Sequence, residues 1–140
     1  MLTQDEEKKV AELIGRVEAA TTGEICLHLA RKLKHKAIMN EAAVAFRQHG
    51  LDRTEHRNAV LIFVAVKDRQ LAIIGDKGIH DIVGENGWTY IAAALKEAFK
   101  AGKNFEGITK AIESVATVLH KHFPGKGPHQ NELPNEVGHS

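Results

Sequence analysis

The sequence has few of the features that mark exported, disulfide-linked or membrane-spanning proteins. It contains one cysteine, Cys26, so no internal disulfide can form, and this favours a reducing compartment. Its apolar runs fall well short of the roughly 20 residues that a membrane-spanning helix needs. The charged N-terminal segment contains no apolar stretch of the kind found in signal peptides. We therefore expect a soluble, cytoplasmic protein with no membrane span.

The sequence also lacks an excess of charge and has little proline. Its 19 Lys and Arg residues nearly balance 18 Asp and Glu residues, so nucleic acid is not an expected partner. All three prolines lie in residues 124–140, where apolar side chains are scarce. We predict one domain over residues 1–123, large enough to bury a core, and an extended or disordered tail over residues 124–140.

The clearest pattern in the chain is a pair of apolar runs in its middle. The run from Ala59 to Val66 is uninterrupted and rich in β-branched residues, which predicts a strand buried on both faces. Three polar residues separate it from a second run, Gln70 to Gly75, and this spacing predicts an antiparallel hairpin. The hairpin continues into residues 76–81, a segment with a glycine and several ionisable side chains.

Hydrophobic spacing predicts one further strand and four helices around this hairpin. Thr3 and Glu6 have the spacing of a capping box, and they begin a helix that runs to about Ala20. Alternating apolar residues predict a first strand over Glu24 to Ala30. Helical spacing recurs over residues 40–48, 88–102 and 105–119.

This order of elements predicts a small mixed sheet with polar residues gathered at one end. A helix joins strands one and two, which makes them parallel, while the hairpin makes strands two and three antiparallel. The starts of the first two strands and the end of the third therefore meet. The residues expected there are Glu24, Arg57, Asn58, Asp76 and Asp81.

These side chains have the chemistry of a cation and phosphate site. Carboxylate and amide oxygens suit a hard divalent cation such as calcium or magnesium, and arginine suits phosphate. We predict a metal site formed by residues from several loops: Glu24, Asn58, Asp76 and Asp81. We also predict catalytic roles for Asp76, as nucleophile or general base, and for Arg57, as the group that holds the phosphoryl oxygens of a phosphomonoester.

Two other interpretations use the same sequence. In the first, Asp76 pairs with Arg57, Glu24 caps a turn and Asp81 lies in water, so that no ligand is needed. In the second, the domain is a non-catalytic module for a protein partner. Its tail segment, residues 131–134, then docks in a groove or folds back on its own domain.

Two side chains of the first strand are not expected to take part in chemistry. His28 alternates with the apolar face of that strand and is predicted to be a half-buried packing residue. Cys26 lies in the middle of the strand, where a thiol is buried rather than exposed as a nucleophile. The sequence gives no indication of the oligomeric state.

Several segments together resemble a known family. In chain order they are TTGEI (21–25), the block RNAVLIFVAVKDRQLAIIGDKGI (57–79), Trp88, FKAG with NFEGI (99–108) and NELPNEV (131–137). These segments resemble the TPM domain family, named for a thylakoid lumen phosphatase-like protein, a photosystem II repair protein and a receptor modulator. The resemblance covers nearly the whole chain.

The resemblance implies a three-layer α/β/α sandwich with helices on both faces of a small mixed sheet. Some members of the family are described as acid phosphatases, some bind calcium or another divalent ion, and others are accessory factors of membrane complexes. The matching motifs are Thr22-Gly23-Glu24, Arg57-Asn58 and Gly75-Asp76. Many members are exported and anchored in membranes, whereas this sequence resembles the short soluble bacterial type.

Overall fold

The computed structural model describes residues 1–125 and 135–140. Over these residues the chain forms five α-helices, one short 3-10 helix and four strands. In chain order they are α1 (Gln4–Glu18), β1 (Ile25–Ala30), α2 (Ile38–Gln48), the 3-10 helix (Leu51–Arg53), β2 (Val60–Ala65), β3 (Gln70–Gly75), α3 (Lys77–Val83), α4 (Thr89–Lys100), α5 (Asn104–His122) and β4 (Gly138–His139).

The four strands form one mixed sheet in the order β3-β2-β1-β4. Strand β1 runs parallel to β2, with Ile25 opposite Val60, and β2 runs antiparallel to β3, with Val60 opposite Gly75. Both predicted pairings are therefore confirmed. The helical crossover and the three-residue polar turn determine these directions, as the sequence order implied.

Helices cover both faces of the sheet. Alternate residues of β1 and β2, such as Leu27 and Ile62, pack in one apolar core with α1, α4 and α5. The intervening residues, such as Leu61 and Phe63, pack in a second core beneath α2. All six residues of β2 are buried, which requires cover on both sides. The three-layer architecture is confirmed.

The fourth strand comes from the end of the predicted tail. Gly138 pairs with His28 in a parallel arrangement, and the backbone N–H of Ser140 donates to the carbonyl oxygen of Leu29 at 3.1 Å. The Arg31 N–H donates in turn to the Ser140 carbonyl at 2.8 Å. The sequence predicted only three strands, because two residues are too few to show alternation. The rest of the predicted tail after residue 125, residues 126–134, lies outside the described residues.

Two helix starts show how local sequence positions the elements. The capping box of α1 is formed: the Glu6 N–H donates to Thr3 Oγ1 at 3.0 Å, and Glu6 Oε1 accepts from the Thr3 N–H at 2.9 Å. Asp76 caps α3, accepting from the Lys77 N–H at 2.8 Å. Helix α3 was not predicted, because seven residues with a glycine at the second position give too short a pattern.

Gly78 allows the start of α3 to lie directly against the segment before β2. Its N–H donates to the Arg57 carbonyl at 2.7 Å. A Cβ atom at this position would lie 2.6 Å from that carbonyl oxygen and closer still to the carbonyl oxygen of His56. The backbone that carries Arg57 is therefore positioned by the absence of a side chain at residue 78.

We expect Gly78→Ala to lower the free energy of unfolding by about 2 kcal/mol, because the added methyl group has no room between two backbone carbonyls. Urea unfolding followed by circular dichroism measures the change. Gly15→Ala in α1 is the matched control: the nearest atom to its new Cβ is a side-chain nitrogen of Asn135 at 3.1 Å, and alanine favours the helix. Equal stability of Gly78→Ala and wild type would contradict this account.

Candidate functional site

The starts of β1 and β2 and the end of β3 lie at one end of the sheet, which we call the rim. The Val60 N–H donates to the Glu24 carbonyl at 2.8 Å, and the Asp76 N–H donates to the Ala59 carbonyl at 2.8 Å. Glu24, Ala59 and Asp76 therefore lie side by side on neighbouring strands. The predicted convergence of Glu24 and Asp76 at one end is confirmed at the level of the backbone, with β2 between them and a separation of roughly 10 Å, two strand spacings.

Asp76 and Arg57 form the strongest interaction of the rim. Arg57 Nε lies 2.6 Å from Asp76 Oδ2, and Nη2 lies 3.1 Å from Oδ1. The Lys77 N–H also donates to Oδ1. The hydrogen bond and the charge of Asp76 raise the pKa of Arg57 above its ordinary value. This bidentate pair is the pairing that the ligand-free interpretation predicts for these two residues.

Asp52 is the residue of this region that the sequence analysis missed. It lies in the 3-10 helix and lines, with Asp76, Phe46 and Arg47, an open cavity of about 270 Å³. Its Oδ1 atom is buried and has no hydrogen-bond partner within the described parts of the chain. The negative charge of Asp52 also contributes to the raised pKa of Arg57. No periodic pattern marks residues 51–53, so nothing in the sequence placed this carboxylate beside the hairpin.

Glu24 lies on the same rim but borders a different cavity. Glu24 is buried, and it lines a cavity of about 140 Å³ together with Cys26, His49 and Gly138. The two cavities are separated along the rim, because Glu24 borders the β1–β4 side and Asp76 the β3 side. The acidic residues therefore share one edge without sharing one pocket.

The other two predicted ligands have partners of their own. Asn58 is fully buried, and its Nδ2 donates to Thr22 Oγ1 at 2.9 Å, while its Oδ1 is buried without a hydrogen-bond partner among the residues described. Asp81 is exposed one helical turn from Lys77, whose Nζ lies 3.1 Å from Oδ2. In residues 1–125 and 135–140 no group of three or more His, Cys, Asp or Glu side chains is arranged to hold a metal ion.

The donor atoms of the rim nevertheless suit a hard cation in one place. Asp52 and Asp76 line a common cavity, and Asp52 Oδ1 is a buried carboxylate oxygen without a hydrogen-bond donor in the described chain. A buried anionic oxygen without a donor is unfavourable, and a divalent cation would satisfy it. Asp52 and Asp76 are the residues that would hold a cation here, and Asp52 is not among the ligands that the sequence predicted.

His28 connects the terminal strand to the core. Its Nδ1 lies 2.9 Å from His49 Nε2, its Nε2 lies 2.7 Å from Ser140 Oγ, and its ring stacks on Phe63. Burial, and then the neighbouring His49 and His139, lower the pKa of His28 to about 4. His28 was predicted to be a half-buried packing residue; it is buried more completely than that, and it also anchors the chain end.

Cys26 is buried, as predicted. Burial raises the pKa of its thiol to about 12, with further contributions from the charges of Glu18 and Glu24. The reactive thiolate form is therefore scarce at neutral pH.

Comparisons with known proteins find one matching family model and similar solved structures. A family model described as TPM domain matches residues 1–118. The BA42 protein from the psychrophilic bacterium Bizionia argentinensis is 36% identical, with a TM-score of 0.90 over 100% of this chain and 96% of that one. The N-terminal domain of a protein from P. gingivalis is 15% identical, with a TM-score of 0.74 over 87% of this chain and 78% of that one, and it shows the fold alone. No curated protein matches.

Among the described residues, no helix combines the length and the apolar character that crossing a bilayer requires.

The stability of the protein should fall as the pH drops from about 6.5 to about 4. Folded His28 has a pKa of about 4, below the ordinary 6.5, so the unfolded chain binds the proton more readily across this window. His49, whose pKa burial also lowers, acts in the same direction. The His28 contribution corresponds to a loss of about 3 kcal/mol, measurable by urea unfolding at several pH values.

His28→Gln should reduce this loss, since glutamine does not titrate. His122→Gln, an exposed position at the end of α5, is the control and should keep the wild-type pH profile. Identical pH profiles of His28→Gln and wild type would show that His28 is not the group responsible.

Proposed function

The chain belongs to the TPM domain family, and from this membership we propose that its rim binds a divalent cation, calcium or magnesium, beside Asp52 and Asp76. We further propose that this site holds a phosphomonoester and hydrolyses it slowly. The observation that carries the proposal is that Asp52 lines the same cavity as Asp76 and has a buried Oδ1 atom without a hydrogen-bond donor in the described chain.

The proposed cation would supply positive charge that offsets the two carboxylates and polarises a phosphoryl oxygen. Arg57 is suited to hold the other phosphoryl oxygens, because its guanidinium presents parallel donors that match phosphate as well as carboxylate. Its side chain is about half exposed, so it can leave Asp76 and turn to a ligand with little disruption of the core. The positive Arg47 borders the same cavity and adds to its attraction for phosphate.

Asp76 is the proposed nucleophile or general base. In the structure both of its oxygens are engaged, Oδ2 by Arg57 and Oδ1 by Arg57 and the Lys77 N–H. The carboxylate becomes available for chemistry only when Arg57 moves to the phosphate. Release of Asp76 and capture of the substrate would therefore be one step, which fits a slow enzyme better than a fast one.

A second candidate function is a non-catalytic module for a protein partner or membrane complex. The hydrogen bonds of Asp76 favour this function. Both of its oxygens accept from Arg57, and Oδ1 also accepts from the Lys77 N–H, so this carboxylate has its hydrogen bonds without any ligand. The terminal residues fold back on their own domain as β4, so a partner would meet β3 at the other side of the sheet rather than the edge of β1.

A melting experiment tests the cation site. Calcium or magnesium at a hundred times its dissociation constant should stabilise the wild type by about 2.7 kcal/mol, and Asp52→Asn and Asp76→Asn should each reduce the shift strongly. Glu97→Gln is the control, because its carboxylate lies in solvent beside Lys100 on α4 and is not among the predicted ligands. The absence of any shift with either metal would remove the cation site and leave the partner-binding function.

The remaining predicted ligands can be assigned by the same assay. Glu24→Gln, Asn58→Ala and Asp81→Asn should each reduce the shift if these residues bind the cation, as the sequence predicts. Because Glu24 borders a separate cavity, we expect a smaller effect from its substitution than from that of Asp52. An effect at Glu24 as large as that at Asp52 would move the proposed cation toward β1.

Hydrolysis of p-nitrophenyl phosphate, with and without chelator, tests the enzymatic part. The wild type should show a low, chelator-sensitive rate that Asp76→Asn abolishes and Arg57→Lys reduces by raising KM, since lysine cannot make the bidentate contact. Equal rates in wild type and Asp76→Asn would exclude Asp76 as the catalytic group while leaving metal binding to the melting experiment.

A further inference from the structure

A larger cavity lies at the opposite end of the sheet from the rim. It occupies about 400 Å³ between the β2–β3 turn, the C-terminal half of α4 and the start of α5. Apolar side chains form much of its wall, among them Val64, Leu71 and Phe99. Both its size and its apolar lining are typical of sites for small molecules.

The charged side chains that border this cavity are all positive. They are Arg69, Lys96 and Lys100, and among the described lining residues none is acidic. Among the described residues, Lys100 is the one of these three with an ion pair, to Glu97 at 3.6 Å, and both side chains are exposed, so the pair is weak. An anionic group placed at the mouth would therefore meet two or three cations and little competition.

The surroundings of the turn extend this positive region. The Lys67 N–H donates to the Arg31 carbonyl at 2.9 Å, which brings the segment RKLKHK (31–36) to the same end of the sheet. The nearby carboxylates are already engaged by backbone donors: Asp68 accepts from the Leu33 N–H, and Glu41 from the N–H groups of residues 34 and 35. A chain with a formal charge of +1 thus concentrates cations at one end.

Arg69, which borders the cavity, has an unusual backbone conformation. Its φ angle is +54°, in the left-handed region, where glycine or asparagine is favoured. An arginine at such a position is unfavourable by roughly 1 kcal/mol for folding alone. The left-handed conformation is the one that a three-residue hairpin turn commonly requires at its last position, and from there the Arg69 side chain borders the cavity.

We propose that this cavity binds an amphiphilic anion, a molecule with a single alkyl chain and a carboxylate or phosphate head. The alkyl chain would lie against Val64, Leu71 and Phe99, and the head would contact Arg69 and Lys96 at the mouth. This cavity and the rim lie at opposite ends of the sheet. The cation proposal and this one are therefore independent, and an experiment can contradict either without affecting the other.

Titration with octyl phosphate below its micelle concentration tests the proposal. We expect saturable one-to-one binding that shifts the backbone amide resonances of residues 64, 71 and 99 in two-dimensional NMR spectra. Octyl glucoside, which has the same chain and an uncharged head, should bind at least tenfold more weakly. Equal binding of the two amphiphiles, or shifts spread over the whole surface, would overturn the proposal.

Two variants and a control locate the head group. Arg69→Asn removes the charge and keeps a residue that tolerates the left-handed conformation, and Lys96→Gln removes the second cation. Each should weaken octyl phosphate binding by about fivefold to tenfold, the range expected for one charge-assisted contact. Lys110→Gln, an exposed lysine of α5 that does not line the cavity, should bind as the wild type does. Unchanged binding in both cavity variants would overturn the assignment.

A free alkyl phosphate and an anionic phospholipid share this chemistry, and sedimentation with vesicles distinguishes them. Binding to vesicles of anionic lipid that is lost in Arg69→Asn would identify a lipid head group as the natural source. Octyl phosphate binding without vesicle binding would identify a free amphiphile. The fold of each variant is checked by its NMR spectrum without ligand.

Discussion

The burial of β2 on both faces is the constraint on which the rest of the structure depends. All six of its residues are buried, so the strand can exist only with helices above and below it and with strands on either side. The crossover from β1 and the tight return to β3 then determine every direction in the sheet. The polar rim at one end of the sheet and the basic region at the other are consequences of this arrangement, because each collects loops that are distant in sequence.

The elements with strong local signals could be predicted from the sequence. The capping box of α1, the apolar run of β2 and the polar turn before β3 each specify their structure within a few residues, and the polar turn also gave the antiparallel pairing of β2 and β3. Helix α3 and strand β4 were too short to produce a periodic pattern. β4 also depends on His28, which binds Ser140 across 112 positions of sequence, and no local pattern encodes such a contact.

The candidate site was predictable in position but not in composition. Strand directions brought Glu24 and Asp76 to one end, yet side-chain burial assigned them to separate cavities. Asp52 entered the site from a 3-10 helix whose place depends on how Leu51 packs beneath α2, which is a tertiary effect. The net charge likewise gave no indication of the basic region at the other end of the sheet. A net charge counts all residues together, whereas the fold brings Arg69, Lys96 and Lys100 to one cavity.

The position of Cys26 makes its thiol a natural probe of local unfolding. The thiol lies in β1 beneath α2 and beside the residues that precede β4, and its high pKa keeps it protonated. Cys26 keeps only 9% of its surface exposed beside a cavity of about 140 Å³, so a bulky thiol-labelling reagent should react rapidly only when one of these covering segments detaches. The labelling rate under native conditions therefore gives the free energy of that local detachment, and comparing it with the free energy of global unfolding shows whether the chain end leaves the sheet independently. A single endogenous side chain can thus follow motions that would otherwise require an introduced probe.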